Sequence, residues 1–525
     1  MVFKDLTEKD KKYIKKVYKD NTISWDERMD LLKDKYGVAE RTMRRWCSER
    51  LDLSEKEPTE SEQYSIAKTK KIDKTKKIFL ITSAQSNTPV NESFLKNMEV
   101  YAKKINAEIL VIPFRYKNPT SIFSNEEEEN EYWDPKIVKY LTLNRHNLNK
   151  NISVLSDIKI QPSSNSPLTG LEGMTGSHSS VIGHPKIELK TIPVMEGSPI
   201  KVLFTTGACT LSNFTDSKAG KRGDFHFSTG FAIVEIKDSE VFFFRQVSAK
   251  ENGEFIDLFS HVKDGIITKE DSVEAIALGD IHVANVDKAV IDITLNDLFK
   301  KLKPKSVFLH DIIDSTSVSH HNLKNPFILH EQELNGSNSL EKELDEMIKF
   351  LKQFEKYNVY IVKSNHDEHI DKFLETSDWR KMTSFKNALP YMELATARLK
   401  GQAKNGVVPY VINKHYPKFK CLTDDDNIVI KGWLCSVHGH KGASGSRGSL
   451  QQYSRLSTKI LVGHSHQIGR ISGAASVGTS SHLRVGFNTS FSGWINAHGI
   501  INRLGKLQHI VFIKTKNGVE YTTLK

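Results

Sequence analysis

Leu278-Gly279-Asp280-Ile281-His282 is the stretch around which the rest of the sequence is arranged, and four later stretches echo it. They are His310-Asp311-Ile312-Ile313-Asp314, Ser364-Asn365-His366-Asp367, Val437-His438-Gly439-His440 and Val462-Gly463-His464-Ser465-His466. Most follow a short apolar run: Glu274-Ala275-Ile276-Ala277-Leu278, Ser306-Val307-Phe308-Leu309, Val359-Tyr360-Ile361-Val362 and Ile460-Leu461-Val462. A run of that length before a turn reads as a buried strand. Asp, His and Asn side chains therefore gather at the carboxyl ends of several strands, where open α/β sheets place their sites.

The donor types indicate the chemistry. Carboxylate, imidazole and amide oxygen together suit Mn, Zn or Fe, and no thiolates stand nearby to form a structural zinc site. Asp280-x-His282 and His464-x-His466 each put two donors on one side of an extended chain, so each pair can close on one ion. A lone histidine at a strand end is ordinarily a satisfied polar residue; five donor-bearing groups in order, mostly behind strands, point the other way. Seven or so candidate ligands are too many for one first-row ion and about right for two.

In order, these motifs resemble the D-x-H, G-D-x-x-D, G-N-H-D, H-G-H and G-H-x-H series of the calcineurin-like metallophosphoesterase superfamily, over about residues 270–500. The resemblance implies an α/β protein whose residues 266–525 form a catalytic β-sandwich flanked by helices. It implies one metal on Asp280, His282 and His466, a second on Asn365, His438 and His464, and Asp311 bridging both. His366 would be the acid beside the leaving group, with Asp367 orienting it or its loop. His310 and Ser364 stand where the family usually has glycine, so the second and third loops are expected to differ in shape. His438 and His440 both fit the fourth motif loosely, and the family pattern favours His438 as the ligand. Residues 438–447 and 486–494 are further similar to metallophosphoesterases of tailed phages, including pre-early DNA-transfer proteins associated with host DNA degradation. Double-strand-break-repair nucleases are a more distant likeness. That similarity implies a manganese-dependent DNase working in the host bacterial cytoplasm, with magnesium, zinc or iron as alternative metals.

Small residues in Gly439-His440-Lys441-Gly442-Ala443-Ser444-Gly445-Ser446-Arg447-Gly448 let a backbone approach a ligand closely. Lys441 and Arg447, with His440, are the expected phosphate contacts there; the alternative is a surface loop with incidental charge.

At 525 residues the chain has room for two to four domains. Its 38% hydrophobic and 26% charged content is that of a globular protein, not a disordered one. No apolar run approaches the ~18–20 residues of a bilayer span, and the N-terminal residues lack the apolar core of a signal peptide, so no membrane partner is expected. Cys47, Cys209, Cys421 and Cys435 have no pair spacing, which predicts free thiols in a reducing cytoplasm. The formal charge of +11 fits a polyanionic partner, and equally an ordinary basic enzyme.

Residues 1–52 read as a helix-turn-helix-like unit. A first helix from Glu8 to about Lys19 is followed by one capped by Ser24, with Trp25, Met29, Leu32 and Tyr36 at helical spacing up to Gly37. A third, Val38 to Trp46, carries Arg41, Arg44 and Arg45, which can meet phosphates or guanine edges of DNA. The alternative is a small bundle for protein contacts. Residues 53–77 read as a charged linker, and Glu126 to Glu129 as a solvated acidic run.

Residues 78–265 read as an α/β domain to which the sequence assigns no function. It opens with strand Ile78–Thr82, a helix from Phe94 to Ile105 and strand Ala107–Pro113. The Ser- and Gly-rich residues 161–184 read as a mobile or substrate-facing loop, with His178 and His184 outside metal chemistry. Lys218 to Asp224 read as a basic hairpin or loop. Further on, Leu340 to Phe354 should be an amphipathic helix, and residues 371–400 a helical cap beside the site.

The sequence thus points to a two-metal DNA nuclease. One rival is a phosphatase or small-molecule phosphodiesterase with a helical appendage. The other is a DNA-binding regulator that keeps a structural metal site. DNA is the expected partner, and homo-oligomerisation stays open.

Overall fold

Along the strands Ala275–Ala277, Val307–His310 and Val359–Val362, successive side chains point to opposite faces of one sheet. Ile276, Val307, Leu309, Val359 and Ile361 enter a core shared with helices. Ala275, Ala277, Phe308, Tyr360 and Val362 enter a second core, against Trp433, Cys435, Leu461, Ala475 and Val477 of another sheet. These strands are buried on both faces, which is why they read as continuous apolar runs.

In the computed structural model the described residues are 3–18, 25–47, 51, 70–73, 75–116, 133–319, 322–379, 385–486 and 488–524, and the chain divides into Met1–Glu62 and Gln63–Lys525. The architecture is mixed α/β. In the larger unit a six-stranded sheet places Lys420–Cys421, Val359–Val362, Val307–His310, Ala275–Ala277, Ala497–Ile501 and Leu507–Val511 side by side. The first four run parallel, Ala497–Ile501 runs against them, and Leu507–Val511 runs against Ala497–Ile501. A four-stranded sheet orders Phe242–Ser248, Gly230–Ile236, Ile78–Gln85 and Glu108–Phe114. Both pack on a ten-stranded sheet, through Phe308 and Tyr360 in one case and through Phe79, Ile81, Ile112 and Phe244 in the other.

That ten-stranded sheet takes strands from both sides of residue 265. Its middle pair is Glu188–Ile192 against Gly469–Ile471, antiparallel, with Leu189 opposite Arg470. Thr191 Oγ1 adds a hydrogen bond across this seam to the Ile468 carbonyl, at 2.7 Å.

The helices follow their sequence signals. Ser339 caps Leu340–Leu351 by accepting from the Lys342 amide, and Leu340, Leu344, Met347 and Leu351 bury the i, i+4, i+7, i+11 stripe. The expected cap region holds Asp367–Thr376 and Phe385–Leu399. Two segments differ from expectation. Ser179–Ile182 is a fully buried strand rather than part of a loop, because its serines lie inside the sheet with Val181 and Ile182 in the core. Lys218–His226 is a helix capped by Ser217 rather than a hairpin; Gly220 and Gly223 let it close on the Thr215 carbonyl and the Phe214 ring.

In the smaller unit, helices Glu8–Tyr18, Trp25–Tyr36 and Glu40–Arg45 bury Ile14, Val17, Met29, Leu32, Tyr36, Met43 and Trp46. Gly37 ends the second helix at a φ of +60°, which glycine adopts freely. Arg45 is exposed. The Ser24 cap, the side chains of Arg41 and Arg44, residues 126–129 and most of the linker lie outside the described residues. Among the described residues no helix is long and apolar enough to cross a membrane. Cys47, Cys209, Cys421 and Cys435 are all free.

A buried ionic cluster joins the elements of the larger unit. Arg245 donates to Asp257 at 2.6 and 2.8 Å and also pairs with Glu235. Asp257 further accepts from Tyr101 and Gln508, at 2.6 and 2.8 Å, and Glu235 from Thr522, at 2.8 Å. Arg245→Met strands two buried carboxylates, so unfolding of the full chain in urea should show a loss of about 3–5 kcal/mol. Restoring neutrality with Glu235→Gln and Asp257→Asn should recover part of it; a loss below about 1 kcal/mol would mean that water solvates the cluster.

Candidate metal centre

At the carboxyl ends of Ala275–Ala277, Val307–His310 and Lys459–Val462 the chain leaves its strands through strained turns. His282, Asp311, His464 and His466 have φ of +49°, +49°, +71° and +56°. Left-handed backbone costs a non-glycine residue about 1–2 kcal/mol, and such strain gathers where side chains must be aimed. The first two turns are laced together: the amides of Ile281 and His282 donate to the carbonyls of His310 and Asp311, at 3.1 and 2.8 Å. The His464 amide donates to Asp280 Oδ2 at 2.6 Å, which brings the last motif onto the first.

Asp280, His282, Asp311 and His466 are all buried, with one donor atom from each lying within 4.8 Å of the others. Asp280 Oδ2 is 3.1 Å from His466 Nε2. His282 Nε2 is 3.0 Å from His466 Nε2 and 3.3 Å from Asp311 Oδ2. His282 Nδ1 faces Asp314 Oδ1 at 2.9 Å. Because a carboxylate only accepts, Nδ1 carries a proton, which leaves Nε2 as the atom aimed at the cluster, the usual arrangement behind a metal-ligating histidine.

On the other side of Asp311, Oδ2 lies 3.6 Å from His438 Nε2. Two further groups of donors gather here: Asp280, His310 and His438, and His282, Asp314 and His366. His310 Nδ1 lies 3.4 Å from His438 Nδ1, behind the ring. The sequence reading noted His310 only as a missing glycine and did not use Asp314 at all. Both were legible as donors inside the second motif.

Several buried polar atoms here have no hydrogen-bond partner: Asp280 Oδ1, Asp311 Oδ1, Asp314 Oδ2, His310 Nε2, Asn365 Oδ1 and His438 Nε2. Buried polar groups are nearly always paired, so this concentration of unpaired acceptors fits cations. The electrostatics agree. Burial works against a charged His282, yet the Asp311 and Asp314 carboxylates outweigh it and push its pKa up to about 10. Burial likewise disfavours the Asp311 carboxylate, and the facing His366 and His282 rings hold it well below the usual range. The spot demands positive charge, which a divalent ion supplies.

The remaining predicted residues surround this centre. Asn365 stands in the third turn. The His464 ring lies 5.3 Å from the His438 ring, and the His440 ring 5.5 Å from it on another side. Burial, then His438, pulls both His440 and His464 down to about 4, so both are neutral donors at pH 7. Neither ring nitrogen of His440 has a protein partner. His366 Nδ1 lies 3.2 Å from the Asp314 carbonyl, and its Nε2 lies 4.0 Å from Asp311 Oδ2. Asp367 accepts from the Ser364 amide at 2.9 Å, while its own amide donates to Ser364 Oγ at 3.2 Å. Its carboxylate fixes the turn that carries Asn365 and His366.

Lys441 is held by Glu368 and Asp424, at 2.6 and 3.2 Å, and Arg447 is exposed. Two glycines of this loop serve close packing: a Cβ on Gly448 would strike the Gly439 carbonyl and the Tyr453 hydroxyl, and one on Gly442 would strike the Gln452 side chain. Trp494, from a stretch read only for its resemblance, sets its ring 4.1 Å from that of His466, edge to face.

Gly463 packs directly against the donors. A Cβ there would collide with Asp280 Oδ1 and press on His310 and His438 Nδ1, each at 3.1 Å. Gly463→Ala should therefore lower metal content at least tenfold while far-UV circular dichroism stays unchanged. Full metal content in that variant would mean that Asp280 is not a ligand.

No protein-family model matches the chain. It is 30% identical over 468 residues to Protein A1 of Escherichia phage T5, a match that takes in 84% of this chain and 82% of that protein. The chain belongs to the family of phage T5 Protein A1.

Proposed function

We propose that this protein is a two-metal phosphodiesterase of the calcineurin-like metallophosphoesterase superfamily that hydrolyses DNA. The observation that carries the reading is the position of Asp311 Oδ2, 3.3 Å from His282 Nε2 and 3.6 Å from His438 Nε2, with Asp280 and His466 completing one side. In this reading Asp280, His282 and His466 hold one ion, Asn365, His438 and His464 the other, and Asp311 bridges them. Manganese is the first choice of metal, with magnesium, zinc or iron next. Two divalent ions held there would activate a water molecule for attack on phosphorus and offset the charge that grows on the phosphoryl oxygens.

The chain's own groups do the rest. The Asp314 carbonyl accepts from His366 Nδ1 and fixes the ring, so that Nε2 can protonate the departing oxygen. Asp367 holds the turn that presents His366. His440 and Arg447, with Lys441 once released from its acidic partners, contact substrate phosphate.

DNA as substrate is supported by the net charge of +11, by a three-helix head with Arg45 on its surface, and by kinship with a phage protein. The same kinship supports action in the cytoplasm of an infected bacterium. Incubation with linear, circular and nicked DNA in Mn²⁺, Mg²⁺ or EDTA, with products resolved by size, tests the whole reading. Cleavage of a small chromogenic diester with none of DNA would overturn the substrate. Bound metal with no turnover of either would overturn the activity.

Asp311 and His366 separate the two roles. Asp311→Asn removes a charge shared by both ions, so at least one ion and the activity should be lost together. His366→Ala should keep both ions and cost about 10²–10⁴-fold on DNA, and less on a nitrophenyl ester, whose leaving group needs little protonation. Equal impairment on both substrates, or loss of metal, sinks the acid role.

Removing residues 1–52 should weaken DNA affinity while leaving small-diester hydrolysis nearly intact. Each lost phosphate contact flattens the log–log salt dependence of binding by about one unit. An unchanged slope would show that the head does not touch DNA.

A further inference from the structure

The two halves of the larger unit repeat one topology. In residues 275–511, Ala275–Ala277 pairs parallel with Val307–His310 and, on its other side, antiparallel with Ala497–Ile501, which pairs with Leu507–Val511. In residues 78–248, Ile78–Gln85 pairs parallel with Glu108–Phe114 and antiparallel with Gly230–Ile236, which pairs with Phe242–Ser248. The ten-stranded sheet repeats in the same way from each edge inward. Val429–Ile430, Trp433–Leu434, Lys459–Val462, Ala474–Ser476 and Gly469–Ile471 match His146–Asn147, Ile152–Val154, Ser179–Ile182, Lys201–Thr205 and Glu188–Ile192. Pairing directions agree at every step. The innermost strands of the two halves pair antiparallel with each other, as across a two-fold axis.

Local detail follows the same correspondence. The isolated bridges Asp280–Thr479, Thr479–Asn496 and Val286–Ser481 match Ser83–Ala208, Ala208–Thr229 and Val90–Thr210. Asp280 N donates to Gly478 O at 3.1 Å, and Ser83 N to Gly207 O at 3.2 Å; Ser480 N donates to Asp280 O at 2.7 Å, and Cys209 N to Ser83 O at 2.8 Å. Registers then equate Asp280 with Ser83, His282 with Gln85, Asp311 with Ile112, His466 with Lys186, and Gly463-His464 with Gly183-His184. Gly183 keeps the close approach of Gly463: a Cβ there would meet Ile112 and lie 3.3 Å from Ser83 Cβ.

Most of the donors, however, are gone, and the retained His184 is engaged elsewhere: its Nδ1 accepts from the Lys186 amide at 3.0 Å and its Nε2 donates to the Gln161 carbonyl at 3.2 Å. Ser83 Oγ donates to Gly207 O at 2.6 Å, Gln85 Nε2 to Asn213 O at 2.7 Å, and Lys186 pairs with Glu188 at 2.8 Å. Among the described residues, the donor groups close enough to hold an ion all lie in the second half.

The first half nevertheless reaches the centre of the second. Its Val194–Met195 forms a ribbon with Phe491–Ser492, and the Val194 carbonyl accepts from Arg484 Nη2 at 2.9 Å. Arg484 Nη1 also donates to the carbonyls of Asn488 and Ser490, each at 3.1 Å, closing the arm 484–494 that ends in Trp494 against His466.

We propose that residues 78–248 are a duplicate of the fold of residues 275–511 that has lost the carboxylates and all but one of the matched imidazoles of the metal centre and serves as a built-in partner subunit, binding no metal and bracing the Trp494 arm against His466. The bracing role rests on the metal-centre reading above; the duplicate's lack of metal does not.

Two measurements on the full chain test it. Manganese bound per chain after equilibrium dialysis should fall at least tenfold when Asp280→Asn and Asp311→Asn are combined with His438→Ala and His466→Ala, since no second site remains; one or more ions retained would overturn the metal-free assignment. A wild-type chain that binds no manganese would instead overturn the metal-centre reading. For the brace, 5-fluorotryptophan is incorporated and the Trp494 ¹⁹F resonance is assigned with Trp494→Phe. Arg484→Ala should shift that resonance alone, Arg484→Lys should shift it less, and kcat/KM on the small diester should fall about tenfold in Arg484→Ala. A Trp494 resonance that stays in place in Arg484→Ala overturns the bracing role, whatever the activity does.

Discussion

Two carboxylates, Asp280 and Asp311, sit wholly out of water at adjoining strand ends, and the larger unit is shaped by the need to compensate them. Buried like charges are tolerable only beside positive charge or donors. Imidazoles therefore crowd around them, and the turns bend into left-handed backbone to aim those rings. Gly463 has no side chain because any Cβ would occupy the space of Asp280. A cation bound there would stabilise the folded chain by mass action, since these donors come together only in that fold.

The candidate centre was readable because its donors sit directly behind apolar strand runs, so that pattern and chemistry coincide within five or six residues. The helix Leu340–Leu351 and the strands around Ile276, Phe308 and Ile361 were readable for the same local reason. What escaped was set by contacts far along the chain. Ser179 and Ser180 look like loop residues, and only the strands on either side show them to be interior. Gly220 and Gly223 suggest a turn until the Thr215 carbonyl and the Phe214 ring are seen pressing on their α-carbons. Arg245 reads as one more surface cation, although it is the buried centre of an ionic cluster.

The likeness of the two halves was invisible for a different reason. A site is recognised by its carboxylates and imidazoles, and Ser83, Gln85 and Ile112 are neither. The fold survives their exchange because the strands are held by the alternation of apolar side chains, which both halves keep. Fold and site are thus separately encoded, and one can be lost without the other.

The seam between Glu188–Ile192 and Gly469–Ile471 also bears on how the chain comes off the ribosome. The first of these strands is made about 280 residues before its partner, an interval of roughly 15–55 s at ~5–20 residues per second. Until then it is a bare sheet edge, the kind of surface on which nascent chains stick to one another. Its alternating Glu188 and Lys190 are the sort of charges that keep such an edge from pairing with the wrong strand while it waits.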